Sequence, residues 1–93
     1  MEQSMDKALS EIVSGSNVAG CMFANQQGLC LGAKGKTNPD SAGIAVAISG
    51  QACKLEPNAN PPIVSLESSN KTCLIHKYGT ITGIIYKENS NTR

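Results

Sequence analysis

Apolar residues first recur at the spacing of one helix face. Met5, Ala8, Leu9, Ile12 and Val13 follow that stripe with polar residues between them, which predicts an amphipathic helix over residues 2–14. Gly15 supplies a stop just past its end. The period then shortens. Val18 to Ala24, VAGCMFA, is a short apolar run with the character of a buried strand. Asn25-Gln26-Gln27-Gly28 follows as a turn in which Gly28 can take a positive φ. Leu29 to Ala33 returns as the second strand of a hairpin, and Gly32 and Gly35 mark a bend or bulge near a strand end.

Asn38-Pro39-Asp40-Ser41 opens a second helix. Pro39 holds Asn38 out of the helical region, and Asp40 or Ser41 is placed to cap the free amides of the first turn. The helix runs to about Leu55, since Pro57 forbids much more. Glu56 to Pro62 is a connector rich in Pro and Asn. Three strands follow: Ile63 to Glu67, Thr72 to Lys77 and Thr80 to Tyr86, separated by turns at Ser68–Lys71 and Tyr78-Gly79. The order is α-β-β-α-β-β-β. Hairpin-length turns make the last three strands an antiparallel meander, and an α/β layer structure fits: a five-stranded sheet with helices packed on it. Residues 1–87 form a single domain, and 88–93 are a polar C-terminal tail.

The second helix carries the most information. At about 100° per residue, Ile44, Ile48 and Leu55 fall within roughly 40° of one another and Ala52 sits at their edge, which assigns them to the sheet. The opposite side carries Ala42, Val46, Ser49, Gly50 and Cys53, all small or medium and none charged. Only Gln51 and Lys54 interrupt the apolar girdle. A solvent face ordinarily carries charge. Gly43 and Gly50 each lower helix propensity by about 1 kcal/mol against Ala, and small side chains let another backbone approach closely. This strip is therefore expected to be covered by a partner subunit. Pro61-Pro62 before Ile63 suits a strand that begins at a sheet edge, so the helix and the strand Ile63 to Leu66 are expected to make one continuous docking surface.

Composition narrows the function classes. Aromatic residues are scarce, with one Phe, two Tyr and no Trp, so the core must be built from Ile, Val, Leu and Ala. A core this thin gains from a partner. The net charge of +1 argues against a nucleic-acid surface built on clustered Lys and Arg. The N-terminal segment carries Glu2, Asp6, Lys7 and Glu11 and lacks the apolar stretch of a signal sequence, and no apolar run approaches the roughly 20 residues that span a bilayer. The chain is expected to be cytosolic, with Cys21, Cys30, Cys53 and Cys73 reduced and serving as small buried hydrophobes.

Two chemical readings compete with this one. Gly35-Lys36-Thr37 ends like a phosphate-binding loop, but the first glycine of that motif falls at Cys30, and Asn38-Pro39 delays the helix whose amides would face a phosphate. The glycines are expected to shape a hairpin instead. Catalysis has a poor inventory: His76 is the single histidine, Asp6 and Asp40 are the only aspartates, and no Cys pair has zinc-site spacing. No enzyme activity, cofactor or metal is expected.

Four blocks, in order, resemble one family: Gln27 to Gly35, Asp40 to Gly43, Pro62 to Ser68 and Ile75 to Thr82. Together they are similar to the small roadblock-type subunits of the Ragulator, the late endosomal and lysosomal adaptor complex. The likeness runs from about residue 1 to 87; the first helix matches poorly in detail and the tail from Glu88 has no counterpart. The resemblance implies a roadblock/longin-like fold with sheet order 2-1-5-4-3 and helices on both faces. It implies pairing through the second helix and third strand with another roadblock-type subunit as a heterodimer, a homodimer being open to the isolated chain. Carried onto this chain, that surface is Ala42, Val46, Ser49, Gly50 and Cys53 with Ile63, Val64, Ser65 and Leu66. It further implies a non-catalytic scaffold, wrapped by a lipid-anchored subunit, that helps hold Rag GTPases at the cytosolic face of lysosomes for amino-acid signalling to the target-of-rapamycin kinase complex. A stand-alone roadblock regulator in a transport or survival complex is the alternative.

Overall fold

The computed structural model describes residues 2–15 and 17–88. Helix α1 spans Glu2–Val13, strand β1 Val18–Ala24 and strand β2 Cys30–Gly35. A 3-10 turn at Pro39–Ser41 leads into helix α2, Ala42–Cys53. Strands β3 (Ile63–Glu67), β4 (Lys71–Tyr78) and β5 (Ile81–Glu88) complete one sheet in the order β2-β1-β5-β4-β3. Every neighbouring pair is antiparallel. The roadblock order expected from the resemblance is the one observed. Glu88 closes β5, and the remainder of the polar tail, 89–93, lies outside the described residues.

Local chemistry explains the turns. The Asn25 side-chain carbonyl accepts hydrogen bonds from the amides of Gln27 (2.9 Å) and Leu29 (3.0 Å), and Gly28 takes φ 84°. Leu31 is an extra residue opposite the Phe23/Ala24 step, a bulge beside Gly32. Neither Asp40 nor Ser41 caps the second helical segment. The Asn38 side chain does, accepting from the Asp40 amide at 3.2 Å, because the chain enters through the 3-10 turn and shifts the cap upstream.

Strand alternation sorts the sheet residues into two faces. Met22, Ala24, Ile75 and Ile84 are buried against Ala42 and Ala45 of α2, with Val64, Cys73 and Tyr86 half-buried around them. On the other face, α1 packs chiefly over β1 and β2. Leu9 is buried there, and the Cys21 thiol donates to the Leu9 carbonyl at 3.4 Å, joining strand to helix.

Candidate partner interface

The structure turns α2 to a different azimuth from the one expected. Ala42, Ala45 and Ser49 are the buried residues of the helix, and Val46 packs half-buried against the same core. Ile44 and Leu55, assigned to the sheet from the sequence, stand 65% and 82% exposed. Only Ile48 of that trio packs on the core. The expectation that Ala42 and Ser49 face a partner is therefore corrected: the chain's own sheet seals them. The physical reason is size. Small side chains bring α2 close to the strands and to the β1–β2 turn, where a Cβ on Gly28 would lie 2.6 Å from the Cα of Gly43. The close backbone approach that small residues allow is made within this chain at Gly43, whereas a Cβ added at Gly50 would meet nothing within 4 Å.

Of the remaining expected residues, Gly50 and Val46 border a side cleft of about 360 Å³ with Gln26, Lys77 and Thr82, and Cys53 is half-buried. Ile63, Val64, Ser65 and Leu66 stand together on β3, whose only strand neighbour among the described residues is β4. Ile63 is 64% and Leu66 44% exposed, while Val64 packs on the core. Register places Val64 and Leu66 on the α2 side, opposite Ile75 and Cys73, and Ile63, Ser65 and Glu67 on the other.

The surface that emerges differs from the expected strip. Gly43, Ile44, Ala47 and Gln51 form the outward side of α2, with Lys54 and Leu55 just past its end, all exposed. Together with the open edge of β3 they present apolar surface of the kind that marks an interaction site. Gln51 and Lys54 were the signal that could have found this side, since the two most polar residues of a helix point away from its core.

A second apolar feature lies beside α1. Because α1 packs chiefly on β1 and β2, the same face over β5 and β4 stays open as a trough of about 730 Å³ lined by Met5, Ile12, Phe23, Leu74, Ile81 and Ile85. His76 and Tyr78 stand at its rim, exposed, with ring centroids 6.4 Å apart.

The Gly35-Lys36-Thr37 segment leaves the end of β2, with Gly35 as the last strand residue. Gly35 takes φ 75°, where a Cβ would strike the Ala19 carbonyl oxygen, and the Lys36 amide donates to that same oxygen at 2.9 Å. That amide is committed to the backbone of β1 rather than turned toward a ligand. The Lys36 ammonium lies 4.0 Å from the Glu88 carboxylate. Burial pushes the Cys21 and Cys73 thiols above their ordinary range. Burial likewise raises the Tyr86 phenol, reinforced by the neighbouring Cys73 and opposed by a hydrogen bond from the Asn38 backbone. Among the described residues, no helix is long and apolar enough to cross a membrane.

Comparison with known proteins fits this architecture. The chain is 33% identical over 88 residues to the Ragulator complex protein LAMTOR5 homolog of Nematostella vectensis, covering 94% of this chain and 97% of that one. It is 30% identical over 91 residues to Ragulator complex protein LAMTOR5 of Xenopus laevis, covering 97% and 100%. In structure it resembles MglB of Myxococcus xanthus (TM-score 0.80, 11% identity, 96% of this chain and 79% of that one). It also resembles a roadblock/LC7 domain from Streptomyces avermitilis (TM-score 0.76, 12% identity, 91% and 78%). At such identities those two likenesses speak for the fold alone. The family model for Ragulator complex protein LAMTOR5 matches residues 1–87, and the chain belongs to that family.

Proposed function

We propose that this chain is a non-catalytic scaffold subunit of a Ragulator-type complex that works by pairing with another roadblock-type subunit. The observation that carries the reading is the junction of the outward side of α2, apolar around Ile44 and Ala47 with Lys54 just past its end, with the edge of β3 that has no strand neighbour among the described residues. An edge strand offers amides and carbonyls for a partner strand, and the helix beside it offers apolar surface for a partner helix. Two sheets would join into one, with both kinds of group satisfied. The pairing surface in this reading is Gly43, Ile44, Ala47 and Leu55 with Ile63 and Leu66. Val46, Gly50, Cys53, Val64 and Ser65 flank it.

The assembly's expected role follows from the family. The paired subunits are wrapped by a lipid-anchored subunit and help hold Rag GTPases at the cytosolic face of lysosomes, for amino-acid signalling to the target-of-rapamycin kinase complex. The trough beside α1 suits the wrapping subunit: it is apolar and open, and the strands beneath it, β5 and β4, span about one helix width at strand spacings of roughly 5 Å. Leu74→Glu is then expected to lose that subunit while keeping the roadblock partner.

Affinity purification of the tagged chain from cells, read by mass spectrometry, tests the whole reading. A roadblock-type subunit, a lipid-anchored subunit and Rag GTPases are expected together. Recovery of an unrelated transport or survival complex instead would favour the stand-alone alternative.

A further inference from the structure

We propose, resting on the pairing surface above, that β3 discriminates against a second copy of this chain and fits a partner strand with a basic residue opposite Glu67 and an apolar residue opposite Ile63. Two copies joined edge to edge through a two-fold axis run their β3 strands antiparallel. Directly opposed residues then point to the same face of the joined sheet. Val64 and Leu66 face α2, whereas Ile63, Ser65 and Glu67 face away from it. Both α2 helices share one face, as helix-to-helix packing requires, only when the axis passes through a residue rather than between two.

Three axes, at Val64, Ser65 and Leu66, bring at least three residues of each β3 into register. An axis at Val64 puts Glu67 opposite Pro61, and Pro61 and Pro62 have no N–H to give. An axis at Leu66 carries the pairing beyond β3, setting Val64 against Ser68 in the following turn. An axis at Ser65 pairs all five residues, Ile63–Glu67, and is the register of greatest overlap.

That best register is poorly matched in a self-pair. Ile63 of each copy falls opposite Glu67 of the other, so the mismatch occurs twice. Ile63 is 64% exposed and Glu67 is exposed, so both lose water on pairing. The apolar side chain gains a carboxylate as its cover, and the carboxylate gains no cation. A partner strand with Lys or Arg opposite Glu67 and an aliphatic residue opposite Ile63 corrects both pairs. Cross-strand pairs of this kind differ enough to change association by about two- to thirtyfold over the two pairs.

Sedimentation of self-association tests this with three variants and the wild type. Ile63→Lys places an ammonium opposite Glu67 on both sides of the axis. It is expected to tighten self-association by about two- to thirtyfold, a gain that shrinks at high salt, although an apolar side chain has been removed. Adding Glu67→Lys to Ile63→Lys sets like charges opposite each other and is expected to abolish the gain. Looser or unchanged self-association in Ile63→Lys overturns the proposal, as does a failure of every variant to associate. Ile44→Glu in the Ile63→Lys background separates the two levels. If it leaves association unchanged, the α2 and β3 surface itself is wrong. If it weakens association while Ile63→Lys alone gave no gain, only the register argument fails. Positions 44, 63 and 67 are exposed, and thermal melts check that each variant remains folded.

Discussion

Truncation of Ile44 to Ala separates a partner face from a core face in one substitution. Ile44 is 65% exposed on the isolated chain. Full burial of an Ile side chain contributes about 1.5–3 kcal/mol relative to exposure. About two-thirds of that is available only when a partner covers the residue, so Ile44→Ala should cost pairing about 1–2 kcal/mol. This corresponds to a dissociation constant raised about five- to thirtyfold. The chain's own stability should hold or rise slightly, since Ala is the better helix former. Val46→Ala should show the opposite signature, because Val46 packs half-buried on the chain's own core: a loss of about 1 kcal/mol in stability with a small effect on pairing. Titration calorimetry against the roadblock-type partner recovered from cells measures the first quantity, and urea unfolding of the isolated chain the second. If Ile44→Ala leaves the affinity within about twofold, or Val46→Ala proves the more damaging to pairing in a folded chain, the assignment of faces on α2 is refuted.

Two further outcomes follow from groups inside the fold. The Ser49 hydroxyl is buried without a hydrogen-bond partner, so Ser49→Ala should stabilise the chain by about 1 kcal/mol, the lower end of the cost of such a group, and raise Tm by about 4–8 °C; a lower Tm would mean the hydroxyl has a partner. Cys21, Cys73 and Tyr86 are all pushed above their ordinary values of 9.0, 9.0 and 10.0 by burial. The folded chain then keeps protons that the unfolded chain releases, so stability is fully present below pH 9.0 and falls as pH rises through the raised values. Urea midpoints that stay level well above that pH would contradict it.

Much of the architecture is legible along the chain because its period changes are clean. The switch from the α1 stripe to VAGCMFA marks the first strand, and Asn25 to Gly28 has the chemistry of the turn it makes. Strand order is another matter: β1 pairs with β5 some sixty residues away, register Cys21 to Ile85, and no local period encodes such a pairing. It comes from the resemblance. The azimuth of α2 is hidden for a physical reason. Apolar residues surround that helix, so their positions hold almost no directional information, and bulk is a poor guide to burial there. The sheet accepts the small residues Ala42, Ala45 and Ser49 and leaves Ile44 and Leu55 outside. Gln51 and Lys54 carry the direction that the aliphatic residues do not.

Backbone amide exchange over β3 and α2, with the chain alone and then mixed with its roadblock-type partner, tests the pairing surface most directly. Among the described residues β4 is the one strand beside β3, so its outward amides gain a strand neighbour only where a partner strand pairs there. Strong slowing at Ile63–Glu67 together with protection along α2 is expected in the mixture. Unchanged exchange at β3 in a stable complex, with protection confined to the trough beside α1, would place the partner elsewhere and contradict pairing through this edge.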